Sequence, residues 1–365
     1  MKYLEEFRNP ELAAVLLKQI KQQAQKVDAV KFMEVCGTHT MSIARYGLRR
    51  MLPKNIQLIS GPGCPVCVTP NNYLDRAIAF SRLENVIITT FGDMLRVPGS
   101  SSSLEKERAA GADIRIVYST LDALDIARKN KDKEIIFLGV GFETTAPTVA
   151  ASIIQAGESN LANYTVFCAH KTMPKPMAAI AGSGKVNLNG FICPAHVSTI
   201  IGSRPYEFLA REYGMCCVIA GFEPLDILQA IQMLLKQFLD KKPAVEIEYS
   251  RVATRDGNPA ALKLMADVFE ECDSTWRGLG VIPASGLKIK KKYAQFDAEK
   301  RFSVQVEPAI EETGCRCGEV MQGIVEPPEC PLFASVCTPE NPVGSCMVSS
   351  EGTCAAWYKY ELNVR

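Results

Sequence analysis

Cysteine is the residue type whose number and spacing indicate chemistry in this sequence. The 365 residues include 14 cysteines and only 3 histidines. The N-terminal residues Met1–Phe7 lack the basic and then apolar pattern of an export signal. We therefore expect a cytoplasmic protein, in which structural thiols stay reduced. Metal binding or thiol redox chemistry is the expected use of the cysteines.

The sequence Cys64-Pro-Val-Cys67 has the spacing of a thiol–disulfide exchange motif. It follows Gly61-Pro-Gly, which allows a sharp turn, and it precedes a predicted helix. The helix N-terminus and the partner sulfur can both stabilise a thiolate there. The alternative is half of a structural zinc site, which would need a second Cys or His pair at short spacing. No such pair follows nearby, so thiol redox chemistry or binding of a soft metal is favoured.

A second motif, Cys36-Gly-Thr-His39, also follows a predicted strand and begins a predicted helix. A Cys and a His at this spacing could form a nucleophile–base pair or provide two metal ligands. The alternative is a buried Cys that only fills space and a His that belongs to a polar turn. Taken alone the motif is weak, and a position beside Cys64 and Cys67 would strengthen it.

The C-terminal segment contains six cysteines with proline and glycine throughout. Forty residues of this composition cannot build an ordinary apolar core, so a covalent or metal link is expected to order them. Widely spaced single cysteines favour an iron–sulfur cluster over structural zinc, which prefers two close pairs. The six cysteines are Cys315, Cys317, Cys330, Cys337, Cys346 and Cys354.

Short apolar runs alternate with helical patterns from residue 30 to about residue 240, which predicts parallel sheets covered by helices on both faces. In such sheets ligands bind beyond the carboxyl ends of the strands. All three histidines and five cysteines follow predicted strands directly, so we expect them to converge on one cleft. The eight predicted strands are 30–35, 56–60, 86–90, 114–118, 135–140, 164–167, 191–192 and 215–220, and the character of the sequence changes past residues 245–249.

Eight strands are many for one sheet, so the sequence predicts an α/β protein with two such domains and a loop-rich C-terminal iron–sulfur domain. The predicted ranges are 1–125, which includes the Cys36 and Cys64/Cys67 loops, 126–245 and 246–365. A helix is expected at 258–271, followed by a region with few strand signals.

Charge and hydropathy exclude several classes of function. There are 41 basic and 40 acidic side chains, so no charged surface typical of nucleic-acid binding is expected. No run of about 18 apolar residues occurs, so no membrane span is expected. Gly182-Ser-Gly-Lys185 is an incomplete phosphate loop, because Ala179 replaces its first glycine and Val186 replaces its Ser/Thr.

Several motifs together resemble the HypD family of [NiFe]-hydrogenase maturation proteins. The resemblance extends over essentially the whole chain. The motifs are Cys36-Gly-Thr-His39-Thr, Gly-Pro-Gly-Cys64-Pro-Val-Cys67-Val-Thr-Pro, Thr-Phe-Gly-Asp-Met-Leu-Arg-Val-Pro-Gly-Ser, Gly-Phe-Glu143-Thr-Thr-Ala-Pro, Cys193-Pro-Ala-His196-Val-Ser and the segment from Cys337 to Cys354.

The resemblance implies a scaffold on which an iron centre with two cyanides and one carbon monoxide is assembled. By motif, Cys36 matches the cysteine thought to bind this iron, with His39 beside it, and Cys64 and Cys67 match a cleft dithiol that supplies electrons or binds iron. The family spacing C-x14-C-x6-C-x16-C implies a [4Fe-4S] cluster. Its implied ligands are Cys315, Cys330, Cys337 and Cys354.

Two cysteines remain outside this implied ligand set, Cys317 and Cys346, and they could form a second thiol relay. The implied partners are the chaperone HypC, HypE with HypF, and indirectly the hydrogenase large subunit. The implied role is an assembly scaffold with redox activity rather than a conventional turnover enzyme. The alternatives are a thiol–disulfide oxidoreductase of the ferredoxin–thioredoxin reductase type and a structural zinc protein that binds partners.

Overall fold

The computed structural model describes residues 5–306, 308–310 and 314–362. Residues 1–4, which belong to the N-terminal segment Met1–Phe7 and to the first predicted domain, lie outside the described residues. Residues 307, 311–313 and 363–365 of the third predicted domain also lie outside them. The described strands are β1 (Val30–Glu34), β2 (Ile56–Ser60), β3 (Val86–Thr90), β4 (Ile114–Ile116), β5 (Glu134–Gly139), β6 (Tyr164–Cys168), β7 (Gly190–Pro194), β8 (Cys216–Ala220), β9 (Val245–Ile247), β10 (Phe269–Trp276) and β11 (Gly280–Ile289).

Helices separate most of these strands, and several of them begin at a residue whose side chain caps the helix. Helix α1 begins where the Asn9 side chain accepts hydrogen bonds from two backbone N–H groups, with Pro10 in its first turn. The α-helices are α1 (Pro10–Ala24), α2 (Gly37–Arg45), α3 (Leu48–Met51), α4 (Asn71–Ser81), α5 (Leu104–Ala109), α6 (Thr120–Lys129), α7 (Ala146–Glu158), α8 (Pro174–Gly182), α9 (Ala195–Ile201), α10 (Glu207–Tyr213), α11 (Pro224–Leu239), α12 (Pro259–Val268), α13 (Ala298–Arg301), α14 (Cys317–Met321) and α15 (Thr353–Tyr360). No helix within the described ranges is long and apolar enough to span a bilayer.

Nine of these strands form two sheets in which every neighbouring pair is parallel. The first sheet has the order β2-β1-β7-β8-β9, and the second has the order β4-β3-β5-β6. Strands β3, β7 and β8 are buried at every position, as expected for strands covered on both faces. Helices α1 and α11 pack against each other and cover one face of the first sheet. The prediction of parallel sheets flanked by helices is therefore confirmed.

The strands are distributed between the sheets differently from the predicted domain ranges. The first sheet combines residues 30–60 with residues 190–247, because β1 pairs with both β2 and β7. A boundary at residue 125 falls inside the second sheet, whose strands extend from residue 86 to residue 168. The chain thus leaves the first sheet, completes the second and returns. The three ranges remain a prediction about folding units. Each of the two sheets contains strands from both of the first two ranges.

The region after residue 258 contains a hairpin that the sequence analysis did not predict. Helix α12 ends at Val268, three residues before the predicted end, and β10 begins at the next residue. Strands β10 and β11 pair antiparallel, with an irregular register between Cys272 and Ser274. The Lys171 backbone bridges to β11 at Gly286, so the hairpin lies beside the end of β6.

The cysteine-rich segment packs against the first sheet mainly through α15, which contacts α2. Arg49 connects the two because its guanidinium donates to both Glu34 on β1 and Glu361 after α15. The guanidinium also lies 5.4 Å from the Trp357 ring centroid. These contacts fix the tail beside the loops that follow β1 and β2.

Candidate functional site

Cys36 lies between the end of β1 and the start of α2, where it is the N-terminal cap residue. The Gly37 N–H donates to the Gly63 carbonyl at 3.0 Å, which joins this turn to the loop after β2. A Cβ on Gly63 would lie 2.3 to 2.5 Å from three backbone atoms of Cys36. Only glycine allows the two loops to come this close, and the Cys36 and Cys64 loops are thereby brought together.

The thiol of Cys36 is in an environment that opposes its ionisation. Only 8% of the residue is exposed. Burial, with a smaller contribution from the Glu351 carboxylate, raises the pKa of Cys36 to about 11. Glu351 is held at the start of α2 because it accepts a hydrogen bond of 2.7 Å from the Thr38 hydroxyl. A bound cation would reverse this preference, since metals bind thiolates.

The His39 side chain contacts the end of β8 and the loop that follows it. Its Nε2 is 3.0 Å from the Ala220 carbonyl and 2.9 Å from the Gly221 carbonyl. Carbonyls only accept, so Nε2 is protonated and Nδ1 is the bare nitrogen of a neutral ring. Nδ1 is buried and has no hydrogen-bond partner among the described residues. Burial lowers the pKa of His39 to about 4, so the ring is neutral at physiological pH.

The dithiol of Cys64 and Cys67 is buried and directed towards the C-terminal segment. The Cys67 N–H donates to Cys64 Sγ at 3.3 Å within a turn, and the next helix, α4, begins only at Asn71. The thiol of Cys67 contacts those of Cys64 and Cys346. Burial, together with these thiol neighbours, raises the pKa of Cys67 well above its usual value.

Cys346 is the thiol that connects the dithiol to the tail. It contacts Cys317 and Cys354 as well as Cys67, and these three contacts lower its pKa well below the usual value. Its backbone N–H also donates to Cys317 Sγ at 3.4 Å. Cys317 and Cys346, which the family spacing leaves outside the cluster ligands, therefore lie at the junction between the two groups of cysteines.

The remaining tail cysteines surround this junction. Both Cys315 and Cys317 pack against Gly344, where a Cβ would lie 2.7 and 2.9 Å from their sulfur atoms. Cys337 accepts a hydrogen bond of 3.4 Å from the Val343 N–H. The Cys330 thiol is buried and lies 4.0 Å from the Gly314 carbonyl.

The thiols of Cys317, Cys346 and Cys354 contact one another, but no group of three or more Cys, His, Asp or Glu side chains in the described part of the chain has the arrangement of a single-ion metal site. The donors in the tail are nevertheless soft sulfur atoms in a loop-rich segment, as iron–sulfur clusters require. A cluster spreads its ligands over several iron atoms, so its donors are farther apart than those of a single ion. The tail cysteines therefore fit such a group by donor chemistry.

The predicted convergence of all strand ends on one cleft is only partly found. The loop that contains Cys36 meets the loop that contains Cys64 and Cys67. The rings of His39 and His196 lie 4.9 and 4.2 Å from that of Phe222. The end of β6 is separate. Cys168 and His170 lie 3.4 Å apart (Sγ to Nδ1) and line another cavity, of about 410 Å³, beside the hairpin.

Three residues of the site were missed by the sequence analysis: Ser345, Glu351 and Arg277. Ser345 and Glu351 lie within the motif between Cys337 and Cys354, so a signal existed for them. Arg277 donates from Nε to the Thr69 carbonyl and lines a cavity with Cys315 and Cys317. It lies in the unpredicted hairpin, where no motif identified it.

A family model named HypD, described as "Hydrogenase formation hypA family", matches residues 11–361. The chain belongs to the HypD family. It is 50% identical over 368 residues to the hydrogenase maturation factor HypD2 of Bradyrhizobium diazoefficiens, covering 99% of this chain and 97% of that protein. It is 49% identical over 370 residues to HypD of Rhodobacter capsulatus, covering 99% and 98%. The HypD of Cupriavidus necator is 48% identical over 368 residues, covering 99% and 97%.

Membership of the HypD family confirms the resemblance drawn from the motifs. These matches extend over both sheets and the cysteine-rich segment alike, so this HypD-family chain is related to the three proteins along its whole length. The family therefore applies to the Cys36, Cys64 and tail regions together.

Proposed function

We propose that this HypD-family hydrogenase maturation factor is the scaffold on which the Fe(CN)2CO centre of [NiFe] hydrogenases is assembled. The observation that carries the proposal is the close approach of the Cys36 and Cys64 loops at Gly63. It brings the loop of Cys36 next to the loop of the dithiol, and the dithiol in turn contacts the tail through Cys346. Such an arrangement can bind an iron fragment and supply electrons next to it.

The iron fragment is the cargo of this site, so it must be held firmly and later released. Cyanide and carbon monoxide are strong-field ligands, and the iron that binds them suits soft thiolate donors. Cys36 is the donor we propose, because its raised pKa keeps it a neutral thiol until a cation is present. Cys64 and Cys67 would provide either electrons or further ligands. Few protein ligands allow transfer to the next protein.

The tail would hold a [4Fe-4S] cluster through Cys315, Cys330, Cys337 and Cys354, which would make the segment an iron–sulfur domain. When bound, such a cluster supplies single electrons at low potential. Cys317 and Cys346 would form the thiol relay between these ligands and the dithiol. The contacts from Cys67 to Cys346, and from Cys346 to Cys317 and Cys354, support this order.

The proposed partners follow from the cargo. A cyanide donor, HypE charged by HypF, would have to reach Cys36. A chaperone, HypC, would have to take over the iron and pass it to the hydrogenase large subunit. The side chain of Thr38, beside Cys36, is half-buried rather than enclosed, so this edge of the site offers an approach for them.

Infrared spectroscopy of the anaerobic complex with HypC tests the proposal. Wild-type protein should be brown and should show cyanide and carbonyl stretches. Cys36→Ala should lose the stretches and keep the brown colour. The control is Cys272→Ala, because Cys272 is half-buried in the hairpin and lines a different cavity. Stretches that persist in Cys36→Ala would disprove the role of Cys36, and colourless wild-type protein containing zinc would disprove the cluster.

A second experiment tests the relay. In Cys346→Ala the cluster colour should remain. Electrons that dithionite gives to the cluster should no longer reach an oxidised Cys64–Cys67 pair. Trapping the free thiols with iodoacetamide, followed by mass spectrometry, measures the reduction. Cys193 and Cys217 also contact each other, yet both lie in the buried first sheet. Cys217→Ala is therefore the control and should leave reduction unchanged.

The contact between Cys64 and Cys67 also favours a second candidate, a thiol–disulfide oxidoreductase. That activity would need both cysteines and would tolerate the loss of Cys36. Turnover of a disulfide-containing protein by wild type and by Cys36→Ala, but not by Cys67→Ala, would support it over the scaffold.

A further inference from the structure

Arg277 is a buried cation that contacts the loop of the Cys64–Cys67 dithiol. Its backbone N–H donates to the Val68 carbonyl at 2.9 Å, and its side-chain Nε donates to the Thr69 carbonyl at 2.9 Å. These two acceptors follow Cys67 directly in the chain. Only 8% of Arg277 is exposed. The fold therefore fixes Arg277 against the loop of the proposed redox-active dithiol.

The turn after Arg277 packs against the cysteine-rich tail. Gly278 has a φ of +77°, and a Cβ there would lie only 2.2 Å from the Gly318 Cα, so the two backbones touch. The Gln322 side chain donates to the Gly278 carbonyl at 2.6 Å. Gly318 lies in α14, which begins at Cys317, and Gln322 follows that helix. Arg277 is therefore held between the dithiol loop and the start of the tail.

Arg277 lines the same cavity as two tail cysteines, Cys315 and Cys317. The volume of this cavity is about 380 Å³. The Cys317 thiol and burial raise the pKa of Cys315, and the charge of Arg277 is one of the smaller influences that lower it. Arg277 is thus within electrostatic range of a sulfur atom that would bind the proposed cluster. A charge acts through space, so it needs no contact with that sulfur.

The charge of Arg277 is not neutralised by a carboxylate of the described residues. Its Nε donates to a backbone carbonyl, and Nη2 is buried and has no hydrogen-bond partner among these residues. Arg316, which lines the same cavity, is partly exposed and pairs with Glu319. Because water and a counter-ion both weaken the field of a charge, the field of Arg277 is less screened than that of Arg316.

We propose that Arg277 sets the reduction potential of the tail's [4Fe-4S] cluster by stabilising the reduced state. This inference rests on the proposed cluster. One-electron reduction adds one negative charge to such a cluster, and the potential depends on the charges around it. A fixed cation nearby favours the more negative state and so raises the potential. Arg277 acts only through its charge; it neither binds the cluster nor transfers the electron.

Redox titration of the anaerobic protein, followed by EPR of the reduced cluster, tests the proposal. In Arg277→Gln the ratio of reduced to oxidised cluster at a given solution potential should fall about tenfold, which corresponds to a potential about 59 mV more negative. A potential that is unchanged or more positive would overturn the role of Arg277 and leave the cluster intact. Wild-type protein without a cluster signal would instead disprove the proposed cluster, and this inference with it.

Two further substitutions of Arg277 separate its charge from its shape. Arg277→Met is neutral and apolar, so it should shift the potential as Arg277→Gln does, and it replaces that variant as the test if the glutamine protein fails to fold. Arg277→Lys keeps the charge but not the planar guanidinium. The ratio of reduced to oxidised cluster should then stay within about twofold of wild type. A tenfold fall in Arg277→Lys would show that packing rather than charge sets the potential.

Arg316→Gln is the matched control because it removes a cation from the wall of the same cavity, next to Cys315 in the sequence. Arg316 is partly exposed and paired with Glu319. Its loss should therefore change the ratio of reduced to oxidised cluster by no more than about twofold. A shift as large as that of Arg277→Gln would contradict the special role of the buried cation.

Discussion

Ser345 and Cys67 are connected by two contacts, in which each side chain meets the backbone carbonyl of the other residue, although they are 278 residues apart in the sequence. The Ser345 hydroxyl donates to the Cys67 carbonyl at 2.9 Å, and the Cys67 thiol lies 3.7 Å from the Ser345 carbonyl. The pair fixes the dithiol loop against the tail, directly beside Cys346. Thiol exchange requires sulfur atoms in a fixed register, and this double contact provides it.

Replacing Ser345 should therefore loosen this junction. Ser345→Ala removes a buried hydrogen bond and leaves the Cys67 carbonyl without it, which we expect to lower the free energy of unfolding by about 1–2 kcal/mol. Urea denaturation measures this change. The control is Ser335→Ala, because Ser335 is an exposed tail serine that donates only to nearby carbonyls. An equal loss of unfolding free energy in the two variants would show that the buried Ser345 hydrogen bond stabilises the protein no more than an exposed one.

A second prediction concerns the approach of the Cys36 and Cys64 loops. Gly63→Ala puts a methyl group into the backbone of Cys36, so the loops must separate at an expected cost of about 1–3 kcal/mol. The iron-dependent infrared stretches should also be lost. Urea denaturation and infrared spectroscopy of the anaerobic complex with HypC measure the two effects.

Gly92→Ala is the matched control for this change. A Cβ at Gly92 would have only one neighbour, Ile116 Cγ2, at 3.9 Å, which is ordinary van der Waals contact. The variant should keep wild-type stability and spectra. If Gly63→Ala behaved like Gly92→Ala, the close approach would not be needed for the site.

The strands were predictable because buried parallel strands are continuous apolar runs. The predicted strand 86–90 coincides with β3, whose five residues are all buried. The order of strands in the sheets was not predictable, because pairing between β1 and β7 depends on how residues 30–34 and 190–194 meet in space. Local patterns contain no information about such a distant pairing.

The site was predictable where a motif is contiguous and not where the hairpin contributes. Cys36 follows β1, and Cys64 and Cys67 follow its parallel neighbour β2, so the rule for parallel sheets correctly predicted that their loops lie side by side. Cys168 follows a strand too, but β6 belongs to the other sheet and the hairpin covers its end. The hairpin itself was missed because β10 is polar and largely exposed between its two buried ends, Phe269 and Trp276, and directly follows a helical pattern.

The carboxyl group of Glu143 should make stability depend on pH. Its pKa is about 7 in the folded protein against 4.5 when unperturbed, so its contribution is fully present below pH 4.5 and is lost as the pH rises through 7. At about 1.4 kcal/mol per pKa unit, the loss amounts to roughly 3 kcal/mol. Glu143→Gln cannot ionise, so it should gain stability relative to wild type between pH 5 and pH 8.

Urea denaturation of both proteins across this pH range measures the difference. The subtraction removes the contributions of the other titrating groups, which both proteins share. Glu271→Gln, which removes an exposed carboxyl group on β10, should differ from wild type by a nearly constant amount. A flat difference for Glu143→Gln would mean that the folded protein does not oppose ionisation of this carboxyl.

The last prediction concerns Arg49, which holds the cysteine-rich tail to the first sheet. Its guanidinium donates to Glu34 at 3.2 Å, to Glu361 at 2.7 Å and to the Ser60 hydroxyl at 3.1 Å. The Glu34 side chain is fully buried, and burial raises its pKa despite the opposing effect of Arg49. Removing the cation would leave a buried carboxylate without its countercharge.

Arg49→Met should therefore lower the free energy of unfolding by about 3–5 kcal/mol. It should also free α15, so that Cys354 at its start reacts faster with iodoacetamide. Adding Glu34→Gln removes the unpaired charge and should recover much of the stability, because most of the loss comes from the isolated carboxylate. Arg211→Met breaks an exposed pair with Glu212 and should cost almost nothing. If Arg49→Met cost no more than Arg211→Met, or if the double variant were no more stable than the single one, packing rather than charge pairing would hold the tail in place.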